Sequence, residues 1–493
     1  PPEYEGSAEG AKSDRSFRAR GTLHHVQGRR ARFAQHSPLA ITFRAFGACV
    51  FHSPNLSVAA KLNPKSFPDE KLETLQRLTF DYFLKETNTQ NGLVPDSTRE
   101  GTVCSITATG FALAAYPVGI ERGFITRNQG IERTLTTLRF FWNSAHGPEP
   151  DATGYKGFYY HFLDMNTGRR TWNSELSTID STFLIAGALT AAEYFDRDDE
   201  NESEIRALAH KIYERADWQW AQNQEDTVTH GWRPESGFIK YRWEGYNEAL
   251  ILYVLGLASP TYPLPGESYQ AWTRTYKWKK LYGQEWLSAG PLFIHQLSHM
   301  WIDFRGIQDE YMRSRGLDYF ENSRRATYIQ QQYSIRNPRG FRGYGEYIWG
   351  LTASDGPGPA SLRIDGKLRK FYDYRARGVP HGPDDGTLAP WAVIASLPFA
   401  PEIVLPSIQY FDEKFPEMTS QYGFKCSFNP TFLSGSGEEW ISKGYYGLDQ
   451  GPIVLMVENF RSEFVWTLMR HSQHLRNGLR RAGFSGGWLS DDE

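Results

Sequence analysis

Two concentric rings of helices, an (α/α)6 barrel, are what this sequence predicts, and three observations predict them. Segments apolar on nearly every side alternate along the chain with segments apolar on one side only, the pattern that an inner and an outer ring require. Longer stretches of strand-like composition, 157–162 and 237–242, stand just ahead of all-round apolar segments, as short hairpins over one mouth would. The length, 493 residues, is one that an all-helical barrel can use as a single unit.

The elements follow in order. Through Pro54 the chain carries eight Lys or Arg against four Asp or Glu, no Trp and no sustained period. Residues 1–65 are therefore set apart as an N-terminal arm, a leader or a cloning-derived segment. The run 39–51 follows Arg29, Arg30 and Arg32 in the manner of a signal peptide, but Arg44 splits it. From Leu72 the period is helical, with Leu75, Leu78 and Tyr82 on one face. The segment 104–116 is apolar all round, 127–143 is one-sided and 179–196 is apolar again. Next come 203–221, one-sided through Ile205, Leu208 and Ile212, and 246–258, apolar. Outer-type segments then fall near 270–281, 317–333 and 402–414, inner-type ones near 291–301, 345–353 and 388–397, and a last helix near 453–469. The barrel domain is read as 66–475, with a tail at 476–493.

Composition narrows the function. The net charge is -3 with signs mixed along the chain and no basic stripe, which argues against nucleic acid. An aromatic share of 15%, with 15 Trp and 27 Tyr, suits sugar rings, whose C–H faces stack on indole and phenol. Cys49, Cys104 and Cys426 have neither disulfide nor metal spacing. No apolar run reaches the ~20 residues of a membrane span.

Two segments carry the chemistry. Trp172-Asn-Ser-Glu175-Leu-Ser-Thr-Ile-Asp180 and Trp243-Glu244-Gly-Tyr246-Asn-Glu248 each put carboxylates among aromatic rings just before a buried helix. Inner helices of such a barrel run parallel, so the acids at their starts should face one cavity. Glycosidic hydrolysis needs such acids, one to protonate the leaving oxygen and one to activate water. Asp180, three residues after Ser177, also fits a capping box, and Glu248 fits a simple complement to the helix dipole. Glu175 and Glu244 are explained less well by helix support, and they are the favoured catalytic pair, with Asp180. Glu346, Trp349, Asp355, Trp391 and Asp449 lie in Gly- and aromatic-rich strings suited to hydroxyl recognition, and with Trp172, Trp243 and Tyr246 they are expected to bind substrate. His295 and His299 have i, i+4 spacing, with Asp303 beyond. The Glu that a helical zinc hydrolase places beside its first His is absent, so His299 is read as hydrogen-bonding to sugar or to neighbouring helices, a candidate substrate-binding residue, and no metal is expected. Phosphate and dinucleotide loops have no counterpart in the sequence.

The strings Ser174-Glu-Leu-Ser-Thr-Ile-Asp180, Tyr246-Asn-Glu-Ala-Leu-Ile-Leu-Tyr253, His295-Gln-Leu-Ser-His-Met-Trp-Ile-Asp-Phe-Arg305, Trp349-Gly-Leu-Thr-Ala-Ser-Asp-Gly-Pro357 and Gly447-Leu-Asp-Gln-Gly-Pro452 resemble the glycoamylase-like family. Its members include the bacterial β-1,2-glucanases of glycoside hydrolase family 144. The resemblance spans about 70–470 and implies an (α/α)6 barrel, no cofactor, and inverting hydrolysis of β-1,2-linked glucan in the periplasm or outside the cell. It also implies that Glu175 and Glu244 are the site acids, joined by Asp164 or Asp180. The expected partner is an oligo- or polysaccharide and the expected state a monomer. Exo action releasing glucose or sophorose, transglycosylation, and a non-catalytic glucan-binding protein are the alternatives. A binding protein would need the aromatic platforms but not the acids.

Overall fold

The computed structural model describes residues 68–435 and 437–490. The expected N-terminal segment 1–65, and Cys49 with it, lies outside them. The described residues form fifteen α-helices, joined by short strands and long loops. They are α1 (Asp69–Lys85), α2 (Ile106–Glu121), α3 (Arg127–Asn143), α4 (Thr178–Tyr194), α5 (Glu200–Glu214), α6 (Trp218–Gln222), α7 (Leu250–Ala258) and α8 (Glu267–Thr273). After these come α9 (Glu310–Ser314), α10 (Tyr319–Arg336), α11 (Pro390–Ile394), α12 (Pro401–Lys414), α13 (Gly447–Ser462), α14 (Phe464–Arg470) and α15 (Gln473–Arg481).

The two kinds of helix expected from the sequence occupy different places. Helices α2, α4, α7 and α13 are buried on nearly every face; α2 packs against α4 and α13, α4 against α7, and α13 against α11. The one-sided α1, α3, α5 and α12 cover them, α1 on α13 and α2, α3 and α5 on α2 and α4, α12 on α11. Helix α2 approaches α4 through paired glycines. A Cβ on Gly187 would lie 1.9 Å from Gly110 O, and one on Gly110 2.5 Å from Phe183 O, so any larger residue pushes the helices apart.

Local chemistry sets where these helices begin. Ser105 caps α2 by accepting from Ala108 N, and Ser177 caps α4 by accepting from Asp180 N. The capping box expected of Asp180 is half formed. Its carboxylate turns from the helix start toward the hydroxyls of Thr107 and Ser177. Just before α4 the chain forms part of a five-stranded antiparallel sheet whose spatial order follows the sequence: Gly154–Tyr155, Phe158–Tyr160, Leu176–Ser177, Gly231–Arg233 and Gly237–Phe238.

Elsewhere the sequence overstates helix. Residues 291–301 form two short 3-10 turns, Leu292–His295 and Leu297–Met300, and 388–397 holds only the five-residue α11. No helix forms over 345–353, where Gly350 sits at φ 110° against Val393 and Ala389 O. The outer segment 270–281 splits into α8 and a hairpin, Trp278–Leu281 with Gln284–Leu287. The boundary expected at 475 falls inside α15, which packs on α7, so 476–490 belong to the fold.

Candidate active site

A cavity of about 1020 Å3 opens where the buried helices begin. Ser105 ahead of α2, Ser177 and Asp180 at α4, Glu248 just before α7, Trp391 in α11 and Leu448 in α13 all line it. That volume is at the top of the ~300–1,000 Å3 typical of small-molecule sites, and has room for several rings in a row.

One wall is a charged group built on the sheet. His161, between the strands Phe158–Tyr160 and Phe162–Leu163, places Nδ1 3.0 Å from Glu175 Oε1 and 3.6 Å from Asp180 Oδ2. Arg233 Nη2 stands 3.4 Å from Glu175 Oε2. Thr107 donates to Asp180 Oδ1 at 2.5 Å, and Ser177 donates to Oδ2. Burial opposes charge on His161, but Asp180 and Glu175 outweigh it and hold the imidazole up at about 9. Burial likewise opposes charge on Glu175; the hydrogen bond from His161, and the charges of His161 and Arg233, nevertheless keep it below the usual carboxylate range. At neutral pH this wall holds an imidazolium against an ionised carboxylate.

Glu248 is in the opposite state. It precedes a helix that is apolar on every side, and burial pushes its carboxyl up to about 8, with the charge of Asp180 adding to the shift against a backbone hydrogen bond. Its Oε2 has no hydrogen-bond partner. A carboxyl that lines a cavity, is protonated at neutral pH and has one oxygen unengaged can give a proton to a bound ligand.

A further wall carries Asp355, paired with Arg99 and accepting from Ser442 Oγ at 2.9 Å. Asp449, in the first turn of α13, is buried near it and is not brought to the cavity lining. Burial pushes its carboxyl well above the carboxylate range, and the charges of Asp96 and Asp355 add to this against a hydrogen bond with Cys426. Trp243 is fixed at the start of α4. Its indole N–H donates to Thr178 Oγ1 at 2.9 Å and its ring stacks on His230 at 3.8 Å.

Of the residues expected from the sequence, the structure brings Glu175, Asp180, Trp172, Trp243, Asp355 and Trp391 to the cavity. It does not bring Glu244 there: that side chain is exposed, and its carboxylate accepts from Thr227 Oγ1 at 3.3 Å. Asp164 closes an exposed turn, accepting from the Asn166 and Thr167 backbone. Tyr246 packs behind the wall against Tyr276, His295 and Tyr319. His299 is buried with Nε2 2.9 Å from Ser323 Oγ, Trp349 donates to Ser407 Oγ on α12, and Glu346 is exposed. His295 Nε2 lies 3.4 Å from Ala289 O, while Asp303 is bound by Arg305 and Arg470, so the spaced His pair and Asp303 turn to separate partners.

Sequence reasoning missed His161, Arg233 and His230, and discounted Glu248. His161 sits in the aromatic string Phe158-Tyr-Tyr-His161-Phe and carried no spacing signal of its own. Glu248 did carry one. A carboxyl two residues ahead of a helix with no solvent-facing side has nowhere to be hydrated, and a shifted carboxyl serves poorly as a dipole complement.

The glycoamylase family profile, described as "Putative glucoamylase", matches residues 240–473. A crystal structure from Bacteroides uniformis, titled a putative glucoamylase, is 33% identical and superposes with a TM-score of 0.74 over 86% of this chain and 99% of its own. An endo-β-1,2-glucanase from Chitinophaga pinensis, solved with sophorotriose and glucose, is 26% identical with a TM-score of 0.74, covering 87% of this chain and 100% of its own. An exo-β-1,2-glucooligosaccharide sophorohydrolase (non-reducing end) of Parabacteroides distasonis is 27% identical over 449 residues, 84% of this chain. The match spans 58% of that relative's length.

Proposed function

Because the chain belongs to the glycoamylase family, we propose that its cavity hydrolyses β-linked glucan, β-1,2-glucan first among them, with Glu248 as the general acid. The observation that carries this is the contrast inside one cavity between a neutral Glu248 and an ionised Glu175. Glu248 protonates the glycosidic oxygen as the bond breaks. A cavity carboxylate, Glu175 or Asp180, takes the proton of the attacking water, and inversion at the anomeric carbon follows if carboxyl and water act from opposite faces of the ring. Acid–base chemistry of this kind draws on no cofactor. In fold, we read the two sets of helices as the inner and outer rings of an (α/α)6 barrel, with the cavity at the mouth where inner helices start.

The named relatives support the linkage, one acting endo and one exo on β-1,2-linked chains. With a polymeric substrate, the location we propose is the periplasm or outside the cell, and the proposed state is a monomer. Among the described residues no helix is long and apolar enough to cross a membrane. The test is incubation with linear β-1,2-glucan beside laminarin, cellulose derivatives and starch, with products separated by chromatography and the new anomer followed by NMR. A ladder of β-1,2-linked oligomers establishes endo action, and sophorose or glucose alone establishes exo action. Cleavage of another polymer but not of β-1,2-glucan overturns the linkage.

A further inference from the structure

Trp172 occupies a costly position for a tryptophan. It and Asn173 are the central residues of a tight turn closed by Ser174 N donating to Thr171 O at 3.0 Å, and both have positive φ, 55° and 50°. Turns of that shape ordinarily take Asn-Gly, and a bulky side chain at positive φ is strained. Folding recovers little from it, because the indole is 44% exposed. Strain that the fold does not need is a reason to look for function.

The surroundings say which. Among the described residues, Trp172 alone of the large exposed apolar side chains lines the cavity. Its turn is braced on both sides, Arg170 donating to Ser174 O at 2.6 Å and pairing with Glu235 of the neighbouring hairpin, and Thr171 N donating to Phe162 O at 3.1 Å. Inward from the indole lie Phe162, with ring centroids 5.1 Å apart, then His161, stacked on Phe162 at 3.9 Å, then Glu175. An immobilised aromatic face thus stands at the mouth, at the outer end of a row of rings that leads to the acid group.

We propose that Trp172 is an outer sugar subsite, a platform that receives a pyranose ring of the glucan chain beyond the rings held at the acid group. This rests on the proposed function above and adds to it a length preference: only chains long enough to reach the mouth gain from the indole. The strained turn is the cost of aiming it there.

The experiment compares W172N and W172G with the parent enzyme on linear β-1,2-gluco-oligosaccharides of increasing length, together with thermal melting. Asn and Gly suit the turn, so Tm stays level or rises. On long chains kcat/KM falls about tenfold, and on the shortest oligomer cleaved by about twofold at most. An equal loss at all lengths, or no loss on long chains, overturns the subsite. A fall in Tm accompanied by uniform loss of activity assigns the indole to bracing Phe162 and His161 instead, which also overturns it. The failure of the proposed function is separate, since a parent that cleaves no β-1,2-linked oligomer shows it directly. Retardation of the two variants and the parent in gels containing β-1,2-glucan then judges Trp172 by binding alone, with weaker retardation of the variants expected and equal retardation overturning it.

Discussion

The starts of α4 and α7 each offer carboxyl groups to the same cavity, in opposite electrical states. Ahead of α4, Glu175 meets an imidazolium and a guanidinium and stays charged despite being buried. Ahead of α7, Glu248 meets apolar walls and the charge of Asp180, and holds its proton to about pH 8. The same residue type is held in two protonation states because its neighbours differ, and that pair of states is what the proposed glycoside hydrolysis draws on.

The comparison breaks first at Glu248. E248Q keeps the shape and neutrality of the protonated acid but has no proton to give. The expected loss in kcat on β-1,2-glucan is about 10²–10⁴-fold, with Tm unchanged or higher. Activity within about tenfold of the parent would remove Glu248 from the chemistry. The charged side is probed by H161Q, which deletes the cation shared by Glu175 and Asp180. A lost charge-assisted hydrogen bond should destabilise by about 1.5–3 kcal/mol at neutral pH, read by denaturant titration.

The pH dependence sharpens both halves. His161 has a folded-state value raised to about 9, so the stability it adds is full below its ordinary 6.5 and disappears as pH rises through about 9. H161Q and the parent should therefore converge in stability at alkaline pH. Glu248 also has a raised value, so the folded state loses stability as pH climbs from the ordinary 4.5 toward 8, a loss that E248Q should abolish. On the activity side, kcat/KM of the parent should fall above about pH 8 as Glu248 loses its proton. A flat profile through pH 9 would contradict that assignment. The smallest effect is expected at Glu244. E244Q, exposed and outside the cavity, should change kcat/KM by less than about twofold.

Glu244 and Glu248 also show how far the sequence could be read. The alternation of all-round and one-sided apolar segments was visible from residue 72 onward, and α1, α3, α4, α5, α10 and α12 lie where periodicity puts them. So was the clustering of acids at buried helix starts. What periodicity could not supply was the start of α7 itself, which the structure sets at Leu250 after an irregular run. That start decides which of two glutamates four residues apart turns inward. Nor could it foresee that 291–301 and 345–353 lack α-helix, because their backbone is shaped by packing on α10, α11 and α13. His161 was invisible for a similar reason: its partners, Glu175 and Asp180, are brought to it by strand pairing between Phe158–Tyr160 and Leu176–Ser177.

The central claim is that Glu248 is the acid and the ionised wall is not. The direct test is the activity of E248Q on a nitrophenyl β-sophoroside, whose leaving group needs no proton, beside its activity on β-1,2-glucan. The account predicts near-parental release of nitrophenol from an enzyme almost inert toward the glucan, whereas E175Q is not rescued in this way. Equal loss on both substrates in E248Q would contradict it.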